Sequence, residues 1–151
     1  RARDYAITQY QSVVSYMKSI GINRPVHIGE TGWASICNDL FGKNGSKAVD
    51  EYKSAQYYKM MRDWTNKKGI TCFYFEGFDE NWKNSANPLH SENHFGFIDL
   101  QSHAKFAIWN LVDEGAFKGV KRNGKAITKS YNGNEQLLRG DVVTPDKILK
   151  N

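Results

Sequence analysis

Three glutamates, one lysine and three aromatic side chains stand where chemistry is plausible. Glu30 ends an apolar run, Val26-His27-Ile28-Gly29, and is followed at once by Thr31-Gly32-Trp33. A second apolar run, Ile70 to Phe78, leads into Asp79, Glu80, Trp82 and Lys83, with Glu92 and Phe95 a dozen residues further on. Acids delivered at the ends of two buried strands, beside large aromatics, fit sugar chemistry. Cleaving a glycosidic bond takes two carboxyl groups, and in retaining enzymes these stand about 5–5.5 Å apart, one as nucleophile and one as acid/base. A nucleophilic carboxylate must stay ionised, so a cation beside it is expected, and Lys83 is the candidate. Trp33, Trp82 and Phe95 offer faces for the apolar sides of sugar rings, and each could equally be a residue that packs its loop. Glu30 likewise has a plainer reading, as a turn cap or the partner of a neighbouring Arg.

The elements that must position these groups follow from periodicity. Residues 4–20 place Ile7, Tyr10, Val13, Val14, Met17 and Ile20 at helical steps, and Gly21 stops the helix. Pro25 forces an extended entry into a strand at 26–29, whose unbroken apolar character suits a parallel strand covered on both faces. After a polar loop, Ser46 is the expected N-cap of a second helix reaching about Asn66, with Tyr57, Met60, Met61 and Trp64 as its buried stripe. Lys67 and Lys68 complement its C-terminal dipole and Gly69 ends it. The second strand, 70–78, is then parallel to the first. A loop of about 20 residues, 79–99, carries most of the polar candidates, and loops of that length inside compact domains are usually functional. A third helix is expected at about 105–114, a two-residue hairpin turn at Asn123-Gly124, and an irregular tail from 132.

Composition narrows the rest. The chain has 151 residues, 40% hydrophobic and 25% charged, as an ordinary globular protein has. No apolar run approaches the roughly 20 residues that span a bilayer. The two cysteines, Cys37 and Cys72, fall toward opposite ends of neighbouring strands and are expected as free thiols; no His/Cys spacing fits a metal, and no cofactor is expected. The net charge of +5 invites a nucleic-acid reading, but the closest thing to a basic patch, Lys118, Lys121, Arg122, Lys125 and Lys129, reads as the solvated face of a hairpin. Asn44-Gly45-Ser46 matches a glycosylation acceptor. Two parallel strands leave both sheet edges unpaired. A complete (β/α)8 barrel takes about 250 residues. The expected fold is therefore α/β: the C-terminal part of a (β/α)8 barrel, its last two parallel strands with flanking helices at 1–118, then a hairpin and tail at 119–151. On its own such a piece is expected to fold with poor cooperativity and to associate.

Two ordered motifs make a family resemblance specific. Ile28-Gly29-Glu30-Thr31-Gly32-Trp33-Ala34-Ser35 resembles the strand-seven motif of glycoside hydrolase family 17, the β-1,3-glucanases. Phe78-Asp79-Glu80-Asn81-Trp82-Lys83 and Ser91-Glu92-Asn93-His94-Phe95-Gly96-Phe97 resemble the strand-eight motif and the segment after it. The resemblance covers most of residues 5–118. It implies that Glu30 is the catalytic nucleophile and that Glu80, Lys83 and Glu92 line the cleft, with Trp33, Trp82 and Phe95 as further substrate-binding candidates. It implies retaining hydrolysis of β-1,3-glucan, laminarin-type, by a secreted or cell-envelope enzyme, with transglycosylation as a variant. Ala34 stands where the family commonly has Pro. The family's acid/base, the Glu of an Asn-Glu pair after strand four, has no counterpart here, since Asn134-Glu135 lies in the tail. The chain is thus expected to hold the nucleophile half of a site and to need the N-terminal part of the barrel as partner; a carbohydrate-binding remnant without catalysis is the alternative.

Overall fold

A computed structural model describes residues 1–38 and 48–142. Helix α1, Ala2–Ser19, opens the chain and buries none of its residues. Strand β1, Ile28–Thr31, follows the extended stretch after Gly21. Helix α2, Glu51–Lys68, leads to β2, Cys72–Tyr74, and the two strands pair in parallel, with Ile28 opposite Cys72 and Thr31 opposite Tyr74. A strand–helix–strand unit is thus the frame of the site. Its first strand runs later than expected and contains Glu30. The strand is also not covered on both faces: Gly29 and Glu30 are exposed among the described residues.

Helix α2 does not start at Ser46, which, with Asn44-Gly45-Ser46, lies outside the described residues. Its cap is Asp50, whose carboxylate accepts the Lys53 backbone N–H at 2.7 Å. Gly69 ends the helix at φ 63°, where a left-handed C′ residue satisfies the last carbonyls. The buried face is Ala55, Tyr57, Met61 and Thr65. Met60 points outward, and Trp64 is half-buried against Tyr10, ring centroids 5.4 Å apart. The hundred-degree step per residue puts Thr65, not Met60, on the Met61 face, and its hydroxyl is satisfied by the Met61 carbonyl at 3.0 Å.

The apolar run expected to continue β2 to residue 78 changes partner instead. Phe75 still donates to the Thr31 carbonyl at 2.7 Å, but Glu76 donates to the Phe95 carbonyl at 3.3 Å. Beyond that point Phe78 bridges to Ile98. The returning loop takes the place of β1, and the peptide bond between Phe75 and Glu76 is cis. The third helix is shorter than expected: a 3₁₀ turn, Phe106–Ile108, runs into α3, Trp109–Asp113. It is preceded by β3, His103–Ala104. Strands β4, Lys121–Arg122, and β5, Lys125–Ala126, form the hairpin on Asn123-Gly124, both at positive φ as a type I′ turn demands. Strand β6, Thr128–Lys129, pairs in parallel with β3. The core gathers Ala55 of α2 with Ile98, Ala104, Ala107, Ile108 and Ile127.

The tail is not irregular throughout. Asn134 caps α4, Glu135–Gly140, by accepting the N–H groups of Gln136 and Leu137, and Leu138 is 1% exposed. Residues 143–151 lie outside the described residues. The basic face of the hairpin is also only partly solvated. Arg122 turns inward, donating to the carbonyls of Ile98, Asp99 and Asp79 at 3.0, 2.6 and 2.6 Å and lying over the Phe78 ring. Lys129 pairs with Asp113.

Candidate active site

Glu30 stands in β1 with its side chain exposed and no hydrogen bond or ion pair to a described residue. The residues after it are fixed. Thr31 shares a 2.7 Å hydrogen bond with the Tyr57 hydroxyl, and its carbonyl accepts from Phe75. A Cβ at Gly32 would lie 2.2 Å from the Phe75 carbonyl oxygen. Only glycine lets the ends of the two strands approach this closely, which gives the Glu-Thr-Gly-Trp order its physical reason. Trp33 is half-buried. Its indole N–H donates to the Ala48 carbonyl at 2.9 Å, its ring packs on Tyr57, and its carbonyl accepts the Ser54 hydroxyl at 2.7 Å. A groove of about 670 Å³ runs between α1 and β1, lined by Tyr5, Tyr10, Glu30 and Trp33 among others.

The end of β2 supplies the second set. Lys83 reaches Glu76 at 2.6 Å and Glu80 at 3.0 Å and sits 4.1 Å above the Phe75 ring. It was expected to serve Glu30; its carboxylate partners among the described residues are Glu76 and Glu80. Burial pushes the Glu76 carboxyl above the usual range, against the pull of Lys83. Glu80, more open, is held below that range by its hydrogen bond to Lys83. Burial pulls the Lys83 ammonium down, and the hydrogen bonds to both carboxylates outweigh it, so its net shift is upward. The same cation therefore acts on two acids of opposite shift, because desolvation dominates at Glu76 and the hydrogen bond to Lys83 dominates at Glu80. Glu76 is the member that the sequence did not single out. Its position seven residues before Lys83, at the end of the apolar run, was the available signal.

Glu92 lies on the 3₁₀ turn Ser91–Asn93, exposed, with no partner for its carboxylate among the described residues. The next residue, Asn93, is fully buried. It accepts the Asn84 N–H at 2.8 Å and donates to the carbonyls of Asn84 and Asn87, so it holds the whole turn. Phe95 is half-buried, edge-on to Phe75 at 5.7 Å. Trp82 is 69% exposed, its ring open to solvent beside Lys83. Phe75 thus joins Phe95 and Lys83 to one surface, with Glu76 and Glu80 beside it. Cys37 and Cys72 are free thiols, and no group of three or more His, Cys, Asp or Glu among the described residues could hold a metal. Asn134 and Glu135 are occupied elsewhere, as the α4 cap and as the partner of Arg139.

No family model matches the chain. A glucan 1,3-beta-glucosidase of Arthroderma benhamiae is 30% identical over 112 residues, which is 66% of this chain and 34% of that protein. The fold is similar to that of an endo-laminarinase from Formosa, with a TM-score of 0.90 and 53% identity over 95% of this chain and 37% of that one. A glycoside hydrolase family 17 beta-1,3-glucanosyltransferase from Rhizomucor miehei matches 70% of this chain and 35% of its own, at 27% identity and a TM-score of 0.52. The chain spans about a third of the length of these relatives. Its paired strand motifs, its sequence relatives and its fold agree, and the chain belongs to glycoside hydrolase family 17, as a protein of the β-1,3-glucanase type.

Proposed function

We propose that the chain is the nucleophile-bearing part of a (β/α)8 enzyme that hydrolyses β-1,3-glucan with retention of configuration. The observation that carries this is Glu30: a carboxylate on a parallel strand, unpaired among the described residues. The neighbouring strand end presents Glu76, Glu80 and Lys83. The likeness to an endo-laminarinase supports the substrate class. Glu30 attacks the anomeric carbon, its lone pair forming a C–O bond as the bond to the leaving oxygen breaks. A carboxylic acid from outside these 151 residues protonates that oxygen and then, as carboxylate, takes a proton from water, which attacks the same carbon and frees Glu30. Lys83, Glu80, Glu76 and Glu92 bind sugar hydroxyls. The exposed face of Trp82 stacks on a ring, with Trp33 and Phe95 as walls. The N-terminal part of the barrel completes the cleft. A polymeric glucan is met outside the cell, so the enzyme acts there or at the cell envelope.

Glu30→Gln in the full-length enzyme tests the assignment. A carboxamide cannot form the ester, and turnover of laminarin-type glucan is expected to fall by at least about 10³-fold. Unchanged turnover would mean that another group attacks. The glucanosyltransferase neighbour supports a second reading, in which a sugar replaces water as acceptor. Product length at high glucan concentration separates the two: chains longer than the starting oligosaccharide mark transfer.

A further inference from the structure

Among the described residues, the most deeply buried ion pair lies behind the site, not in it. Lys105 and Asp79 are 5% and 1% exposed, and the ammonium meets the Asp79 Oδ1 at 2.6 Å. Taking both charges out of water is costly unless every remaining donor and acceptor finds a partner. Here each does. Lys105 Nζ also donates to the Ser35 hydroxyl at 2.7 Å and to the His94 carbonyl at 3.3 Å, which uses its three N–H groups. Asp79 Oδ1 accepts the Gly96 N–H at 2.8 Å, while Oδ2 faces His94 Nδ1 at 3.3 Å. His94 Nε2 donates to the Pro88 carbonyl at 2.7 Å.

The connectivity of this network bears on catalysis. It joins the chain just past β2 (Asp79), the loop that carries Glu92 and Phe95 (His94, Gly96), the lead into α3 (Lys105) and the turn after β1 (Ser35). The last of these ties the buried pair to the turn that follows Glu30. Ser35 enters by three bonds: its N–H donates to the His94 carbonyl at 3.0 Å, its hydroxyl donates to the same oxygen at 3.1 Å, and that hydroxyl accepts from Lys105. Between Ser35 and Glu30 the chain has little freedom. Ala34 is buried, the Trp33 carbonyl is held by Ser54, and Gly32 lies against Phe75. A displacement of the Ser35 anchor is therefore passed along a short stiff turn to the carboxylate.

We propose that Ser35 is a positioning residue: its hydroxyl, held between the Lys105 ammonium and the His94 carbonyl, registers the turn after β1, and with it Glu30, against the Glu76–Lys83–Glu80 surface. The inference rests on the reading of Glu30 as nucleophile. Attack on an anomeric carbon tolerates little misplacement, and a shift of about 1 Å costs about a hundredfold in rate. Ser35→Ala removes the two bonds of the hydroxyl and leaves the Ser35 N–H on the His94 carbonyl and the Asp79–Lys105 pair in place. In the full-length enzyme, assayed on soluble β-1,3-glucan at a temperature where the variant is fully folded, kcat is expected to fall about 10–100-fold while KM stays within about twofold. The rate of covalent inactivation by an activated 2-deoxy-2-fluoro glucoside falls in parallel, since that step reads the attack of Glu30 alone. An unchanged kcat and inactivation rate overturn the role. So does a loss that resides in KM. Glu30→Gln is the control: if it retains turnover, the nucleophile reading itself fails, whereas an inactive Glu30→Gln beside a fully active Ser35→Ala removes only the positioning role.

Discussion

Gly32 shows at the scale of one residue how steric limits and chemistry coincide. Its missing Cβ lets the Phe75 carbonyl come where a methyl group would stand at 2.2 Å. Gly32→Ala must therefore part the ends of β1 and β2, and is expected to destabilise the enzyme by about 1–3 kcal/mol, as overpacking does. Denaturant unfolding of the full-length variant measures this, and a neutral substitution would show the strand ends to be freer than described. Glu51 offers a pH test. Its Oε1 accepts the Phe106 N–H at 2.6 Å and the Ser130 hydroxyl, yet burial dominates and pushes its carboxyl above the usual range. The native state then holds that proton more tightly than the unfolded chain. This contribution is fully present below the unfolded value and is lost as pH rises through the native one. Glu51→Gln keeps an acceptor for both donors and removes the titration. Its melting temperature relative to wild type is expected to improve as pH rises through the window just above the ordinary Glu range; a constant difference across that window contradicts the assignment.

At the scale of elements, the local signals were legible and the long-range ones were not. Helix α2 with its Gly69 stop and the Asn123-Gly124 turn follow from spacing, because each depends on a few adjacent residues, and the parallel pair follows from the strand–helix–strand order. The Asn134 cap was equally local, but six residues of helix give too little periodicity to register. Arg122 could not be read, since its partners Ile98, Asp99 and Asp79 are 23 to 43 residues away. The same holds for Lys105, which is 26 residues from Asp79 and 70 from Ser35. Of the candidate site, Glu30, Glu80, Lys83 and Glu92 are visible in the sequence as motif residues. Glu76 and the buried network behind them are not, because nothing in a single sequence says which acid will share a cation. Two energies follow at this scale. Asp50→Ala removes the α2 cap and is expected to cost about 1 kcal/mol. Lys105→Met strands a buried carboxylate and is expected to cost about 3–5 kcal/mol, several times as much.

The whole molecule is defined by what its described surface leaves uncovered. Helix α1 buries nothing, Tyr5, Tyr16 and Phe73 are each more than half exposed, and β1 pairs on one edge only among the described residues. Produced by themselves, these 151 residues are expected to melt broadly and to associate, since open strand edges and apolar faces invite pairing. A sharp, reversible melt of a monomer would show that the uncovered faces need no partner. In the complete enzyme proposed above, one bond decides the mechanism, the ester between Glu30 and the sugar. Incubating the full-length protein with an activated 2-deoxy-2-fluoro glucoside, digesting it and locating the added mass by peptide sequencing tests that bond directly. A stoichiometric label on Glu30 is expected. A label on Glu76, Glu80 or Glu92, or release of product with inverted anomeric configuration, would contradict it.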